Sequence, residues 1–331
     1  MFNSIFNIAD LDGSNGFAIN GINSGDLAGF SVSNAGDINN DGIADVIIGA
    51  PSSLPGGRTG AGESYVIFGS NNVGSTGNFN LTNLNGTNGF VINQANAGDF
   101  NEVSVNNAGD INNDGIDDLV IGASNADPNA NNSAGESYVV FGGSSVGSSG
   151  SLNLSTLNGS NGFTINGDDG GDFSGRSVSN AGDINNDGIA DLLIGAPAAD
   201  PNGGNSGEGY VVFGGSNVGN TGSIELSALN GSNGFVINGI DTADFQAFTI
   251  SNAGDINNDG VDDLIAGASL GDPTGTNAAG ESYVIFGGSN VGNTGSIELS
   301  ALNGSNGFVL NGIDAGDFSG RSVSNLSLIH I

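Results

Sequence analysis

The chain contains no cysteine, no tryptophan and no lysine, and only three of its 331 residues are basic: Arg58, Arg176 and Arg321. Without cysteine there are no disulfides and no thiolate metal sites, so a protein working outside a cell needs another staple. Three arginines cannot neutralise a phosphate backbone or an anionic lipid surface, which excludes nucleic acid as a partner and polybasic membrane binding. The single histidine is His330. A nucleophilic serine therefore has no base elsewhere in the chain, and the protein is expected not to be an enzyme. No apolar run approaches the roughly 18 residues that cross a bilayer. The opening MFNSIFNIAD has neither the basic nor the apolar part of an export signal, so no membrane insertion is expected of this segment.

Acid and glycine are what the chain has in excess. Thirty-five acidic side chains give a formal net charge of −32, and there are 61 glycines, more than twice the usual share. Cations are the natural partners of such a chain. So much glycine excludes a mainly helical fold.

Self-comparison shows a period of about 73 residues. The string AGDINNDG recurs with its first Asp at 37, 110, 183 and 255, and NGF recurs with its Gly at 16, 89, 162, 234 and 307. The chain divides accordingly into a lead-in (1–15), four repeats (16–88, 89–161, 162–233 and 234–306), a partial fifth (307–325) and a tail (326–331). Each repeat holds four short apolar runs between turn formers; in the third they are 163–166, 177–180, 191–196 and 210–214. Runs of this length rich in Val, Ile, Phe and Tyr read as strands. Four antiparallel strands per unit at a fixed period predict an all-β fold, a β-propeller of about four complete four-stranded blades plus partial strands. A disordered Gly/Asn/Ser tract competes poorly with segments such as LLIGA and YVVFGG. A linear β-solenoid would need much shorter turns.

Between the second and third run of every repeat lies D-x-N-x-D-G-x-x-D. The first copy is Asp37, Asn39, Asp41, Gly42 and Asp45. The others place Asp110, Asn112, Asp114 and Asp118, then Asp183, Asn185, Asp187 and Asp191, then Asp255, Asn257, Asp259 and Asp263 at the same positions. Oxygens at positions 1, 3 and 5 of a tight loop can converge on one point, Gly at 6 permits the turn, and the carbonyl at 7 adds a ligand. That carbonyl belongs to Ile43, Ile116, Ile189 or Val261. Position 12, a bidentate Glu in the EF-hand loop, is here Ile48, Ile121, Ile194 or Ala266, so the acid at position 9 has to close the site. Hard oxygen donors in a flexible loop select Ca²⁺ over Mg²⁺, and about four Ca²⁺ sites are expected. The bland reading is an Asp-rich turn that happens to repeat; four copies with every ligand position filled argue against it.

These residues resemble the FG-GAP repeat family, the blades of the integrin α-chain propeller and of many bacterial surface proteins. Phe173 and Gly175 precede a first strand, and Gly49-Ala50-Pro51 and Gly195-Ala196-Pro197 end a second. In the other two repeats the triplet is Gly122-Ala123-Ser124 or Gly267-Ala268-Ser269. The resemblance covers about residues 16–325. It implies a seven-bladed propeller with Ca²⁺ in the inner hairpin loops, secreted or on the cell surface, acting in adhesion or as a scaffold for protein or glycan ligands. The alternative is the propeller domain of a secreted hydrolase or lyase whose catalytic part lies outside this sequence.

Strand parity puts the Asp-rich loops at one end of each blade and the loops 52–62, 125–135, 198–207 and 270–280 at the other. The latter vary most between repeats, so a ligand site is expected there. Glu63, Glu136, Glu208 and Glu281, one per repeat, are expected to be structural. The fifth repeat breaks off after Asn325 into LSLIHI. Those six residues match a translated transposon-end sequencing adapter, so 326–331 are expected to be an artefact of a chain cut within a blade. Residues 16–20 are then an outer strand left over from a further blade, and 318–325 begin a fifth. An open arc or a small closed ring is expected.

Overall fold

The computed structural model describes residues 7–54, 61–94, 96, 98–99, 103–242 and 249–324. The described residues form strands and short 3₁₀ turns, with no α-helix among them. β1 (Ala18–Asn20) pairs in parallel with β5 (Asn78–Asn80), and four larger sheets follow. The first sheet runs β2 (Ser31–Gly36), β3 (Asp45–Ala50), β4 (Glu63–Ile67) and β6 (Gly89–Asn93), all antiparallel. The second contains β7 (Val103–Gly109), β8 (Asp118–Ala123), β9 (Glu136–Val140) and β11 (Gly162–Asn166). The third contains β12 (Ser177–Gly182), β13 (Asp191–Ala196), β14 (Glu208–Val212) and β16 (Gly234–Asn238). The fourth contains β17 (Thr249–Gly254), β18 (Asp263–Ala268), β19 (Glu281–Ile285) and β21 (Gly307–Asn311). The repeated four-stranded antiparallel sheet expected of a propeller blade is thus present.

Two features of the sheets go beyond the four-strand pattern. The NGF strand that opens every repeat after the first pairs with the last strand of the repeat before it, so a sheet crosses the repeat boundary; β6, for example, joins β4. A short fifth strand is also added in parallel to the outer edge. β10 (Ser151–Asn153) lies on β6, β15 (Ser223–Glu225) on β11, and β20 (Ser296–Glu298) on β16. The chain therefore leaves the second sheet after β9, stitches β10 onto the first sheet, and returns as β11.

The stitch is fixed by packing. Gly147 (φ 60) sits so close under the Phe90 ring that any side chain there would strike it. Phe141 and Phe163 stand edge to face with ring centroids 5.7 Å apart, and Leu154, in the 3₁₀ turn after β10, is buried against the first sheet.

The apolar core lies between sheets. Side chains alternate faces along a strand, so Ile47 points to the second sheet while Val46 and Ile48 point the other way. One cluster joins Ala35, Ile38, Ile47 and Phe90 of the first sheet to Val105, Leu119, Ile121 and Tyr138 of the second. Equivalent clusters join the second sheet to the third and the third to the fourth. The strands β2, β7, β12 and β17 lie side by side along this stack. The described sheets do not close into a ring, as an open arc requires: Val32 on the first sheet is 63% exposed and Ile256 on the fourth 47%.

At the start of the described chain β1 pairs with β5 alone, in a two-stranded sheet. Residues 318–324, expected to start a strand, form turns and bends instead, since no neighbouring strand among the described residues is there to pair with them. Residues 325–331, including His330 and the LSLIHI tail, lie outside the described residues, as does Arg58.

Candidate metal-binding loops and the opposite end of the blades

Each Asp-rich loop begins at a β-bulge. The register of β2 on β3 shifts between Asn34 and Gly36, and Gly36 (φ 69) takes a conformation that costs a residue without Cβ little. A side chain at Gly36 would also strike Asn107 and Asp117 of the next sheet. The loop then folds on its own carboxylates. Asp37 accepts the backbone N–H of Asp41 at 2.9 Å and of Gly42 at 2.8 Å, and Asp41 accepts that of Ile43 at 2.9 Å. The same bonds recur around Asp110 and Asp114, Asp183 and Asp187, and Asp255 and Asp259. Asn40, Asn113, Asn186 and Asn258 supply the left-handed residue at position 4, a conformation Asn tolerates better than most.

Position 3 differs between copies. Asn112, Asn185 and Asn257 each accept the position 5 N–H at 2.9 Å. In the first copy Asn39 Oδ1 is buried with no hydrogen-bond partner. Position 9 faces inward in every copy. Asp118 is fully buried; its two oxygens accept the N–H of Ile111 at 3.1 Å and of Gly142 at 2.8 Å. Asp45, Asp191 and Asp263 make the matching pairs. Burial, opposed by these donors and reinforced by the Asp residues at positions 1 and 5, raises Asp118 to about 8, Asp191 to about 7 and Asp45 to about 6, and raises Asp263.

The expected ligand positions thus sit in one loop per blade but in two layers. Positions 1, 3 and 5 form the outer rim, and position 9 is the buried floor that ties the loop to the sheet. Among the described residues no three His, Cys, Asp or Glu side chains converge as a metal-holding group.

The first three loops are also joined to the next blade. After β9, Gly142 donates to the floor Asp118 while Gly143 donates to the Ile38 carbonyl of the preceding loop at 2.8 Å. Gly215 and Gly288 repeat this contact on Ile111 and Ile184. Nothing in the Asp motif itself announces this contact; its signal is the Gly-Gly pair after the last strand of repeats 2, 3 and 4, where repeat 1 has Gly69-Ser70.

At the opposite end the expected structural role of the repeated Glu takes a specific form. Glu63, Glu136, Glu208 and Glu281 each accept the hydroxyl of the Tyr two residues on: Tyr65 at 2.7 Å, and likewise Tyr138, Tyr210 and Tyr283. Burial raises Glu136 and Glu208 above the usual carboxylate range. Asp172 rises to about 7, first through burial and then through Glu208, Asp169, Asp200 and Asp168.

The variable loops are braced in part by the blade that follows. Ala134 accepts the N–H of Ser174 at 3.0 Å and Gly135 that of Gly167 at 2.8 Å; Asn131 donates its side chain to the Asp168 carbonyl at 2.8 Å. Of the loop 52–62, residues 55–60 lie outside the described residues.

Comparison with curated proteins finds no match. Four segments match the FG-GAP repeat model: 28–67, 104–140, 174–212 and 248–285. Each begins within three residues of the start of a sheet's innermost strand and ends with its third, so each spans one Asp-rich loop and one Glu–Tyr pair. With four such segments and the all-β architecture that accompanies them, the chain belongs to the FG-GAP repeat proteins and resembles the integrin α-chain propeller.

Proposed function

We propose that this protein is a calcium-stabilised interaction scaffold of the cell exterior, its Asp-rich loops each holding one Ca²⁺. FG-GAP repeats are typical of extracellular β-propeller scaffolds. The observation that carries the calcium reading is the orphaned Asn39 Oδ1, a hard oxygen buried at position 3 of a loop rimmed by Asp37 and Asp41. Asp37, Asn39, Asp41, the Ile43 carbonyl and Asp45 would hold the ion in the first copy, and their counterparts in the other three. The donor set fits: every group is an oxygen, as Ca²⁺ requires. A bound cation would also stabilise the floor carboxylate in its charged form against the burial that opposes it.

The reading is non-catalytic, since the Glu of each blade is bonded to its own Tyr. Sites of this kind in extracellular modules bind Ca²⁺ at about 10⁻⁴ to 10⁻³ M, which suits a saline exterior. Ligands, whether protein or glycan, would meet the loops at the end away from the ions. Thermal unfolding in excess EDTA and in about 5 mM Ca²⁺ tests the proposal, because an ion bound only to the folded state raises Tm. Chelation is expected to lower Tm substantially, with about four ions recovered per chain by equilibrium dialysis. Identical melting curves would overturn it.

A further inference from the structure

Resting on the calcium reading above, we propose that the Asp-rich loops bind their ions as two coupled pairs. The loops that begin at Asp37 and Asp110 form one pair and those that begin at Asp183 and Asp255 the other. Asp117 and Asp262 are the positioning residues that bridge them.

Neither residue belongs to the expected ligand set, yet each stands between two members of it. Asp117 follows Ile116 at position 7 and precedes the floor Asp118, and Asp262 lies in the same way between Val261 and Asp263. The side chain of each leaves its own loop for the one before. Asp117 accepts the N–H of Asp37, position 1 of the preceding loop, at 2.9 Å, and Asp262 accepts that of Asp183 at 3.0 Å. Glycine at the bulge makes room for this reach, since any side chain at Gly36 or Gly182 would strike the Asp117 or Asp262 carboxylate. At the joint between the pairs, a side chain at Gly109 would strike Ala190 instead, and Ala190 has no group to accept the Asp110 N–H. The link from Gly143, Gly215 or Gly288 to a carbonyl of the preceding loop is present at all three joints, so it does not tell them apart.

The backbone carries the coupling. When the Ile116 carbonyl and Asp118 are engaged as ligands, the chain is fixed on both sides of Asp117, and with it the direction in which Asp117 meets Asp37. Asp37 in turn orders its own loop through the N–H groups of Asp41 and Gly42. Filling one loop of a pair thus lowers the ordering cost of the other, and by linkage the effect is equal in both directions.

Nuclear magnetic resonance during a Ca²⁺ titration reads the loops one at a time. The amides of Gly42, Gly115, Gly188 and Gly260 are each bonded to the position 1 carboxylate of their own loop, at 2.8–2.9 Å. Asp110→Asn, which weakens the second loop but keeps an acceptor oxygen, is expected to raise the Ca²⁺ midpoint of Gly42 about fivefold or more and that of Gly188 less than about twofold. Asp114→Asn, at exposed position 5, tests the same link should Asp110→Asn not fold. In Asp117→Ala the Gly42 midpoint is expected to stop responding to Asp110→Asn; in Asp117→Asn, which keeps an acceptor for the Asp37 N–H, the response is expected to return. Ala190→Asp is expected to bring Gly188 under the influence of the second loop. Gly42 and Gly188 midpoints that move together in Asp110→Asn, or a Gly42 midpoint that does not move, would overturn the pairing while leaving calcium binding intact. Four glycine amides that ignore Ca²⁺ would overturn the calcium reading and the pairing with it.

Discussion

The two ends of each blade are built on different plans. At the Asp-rich end, every copy repeats the same bonds: Asp37 on Asp41 and Gly42, with Asp45 on Ile38 and Gly69, and so on through Asp263 on Ile256 and Gly287. At the other end, the Glu–Tyr pair is constant but the loops above it change length and partners. Asp127 accepts the N–H of Ser133, six residues on, whereas Asp200 accepts that of Asn205, five residues on. The first end holds buried carboxylates that tie each loop to the sheet, and the second holds, above its half-buried Glu–Tyr pairs, exposed carboxylates such as Asp127 and Asp200 that each order a single loop. Uniformity therefore marks the end where every loop repeats the same bonds, and variety the end where the bracing differs from blade to blade.

The strongest way to break this comparison is to remove one carboxylate from each end. Asp118→Ala leaves the N–H groups of Ile111 and Gly142 buried without acceptors and is expected to cost about 3 kcal/mol or more in denaturant unfolding. Asp127→Ala removes an exposed loop contact and is expected to cost about 1 kcal/mol or less. Equal losses would erase the distinction.

The pH dependence separates the ends next. Asp118, Asp191 and Asp45 titrate in the fold at about 8, 7 and 6, above the ordinary 3.8. A carboxylate raised in this way binds its proton in the fold when the unfolded chain has lost it. Its stabilisation is complete below about pH 4 and is lost as the pH rises through 6 to 8. In chelator, Tm is therefore expected to rise as the pH falls from 8 to 5. Added Ca²⁺ should flatten that slope, leaving the part due to Asp172 (about 7) at the other end. A slope unaffected by Ca²⁺ would detach the floor carboxylates from ion binding.

A smaller effect is expected from Tyr210→Phe, which strips the hydroxyl from Glu208 and leaves a buried carboxylate short of one donor, at about 1–2 kcal/mol. The smallest is a gain. Thr274 (φ 55) is a β-branched residue in the left-handed region where repeat 2 has Asn129, so Thr274→Asn should stabilise by about 0.5–1 kcal/mol.

Much of one blade was legible residue by residue. The runs ending in Ala123, Ala196 and Ala268 are strands because β-branched and aromatic residues stand between turn formers. The Asp-rich loops were legible because spacing alone decides which side chains share a tight turn. The two-layer arrangement was not, since whether Asp118 points to solvent or to Ile111 and Gly142 depends on a segment 24 residues away. Nor was β10: SLN is three residues in a Ser/Gly-rich stretch, and only the exposed edge of β6 makes it a strand.

By itself, then, the sequence determined the repeat, the strand and turn positions, the acid-lined loops and the absence of cross-links, because each of these depends on neighbours within a few residues. Tertiary structure alone decided which sheet receives the NGF strand, that the core lies between sheets rather than within one, and that Val32 and Ile256 stay exposed while their equivalents are buried. Identical residues at equivalent positions meet different fates because burial belongs to a pair of faces, and a face at the end of an arc has no described neighbour to cover it.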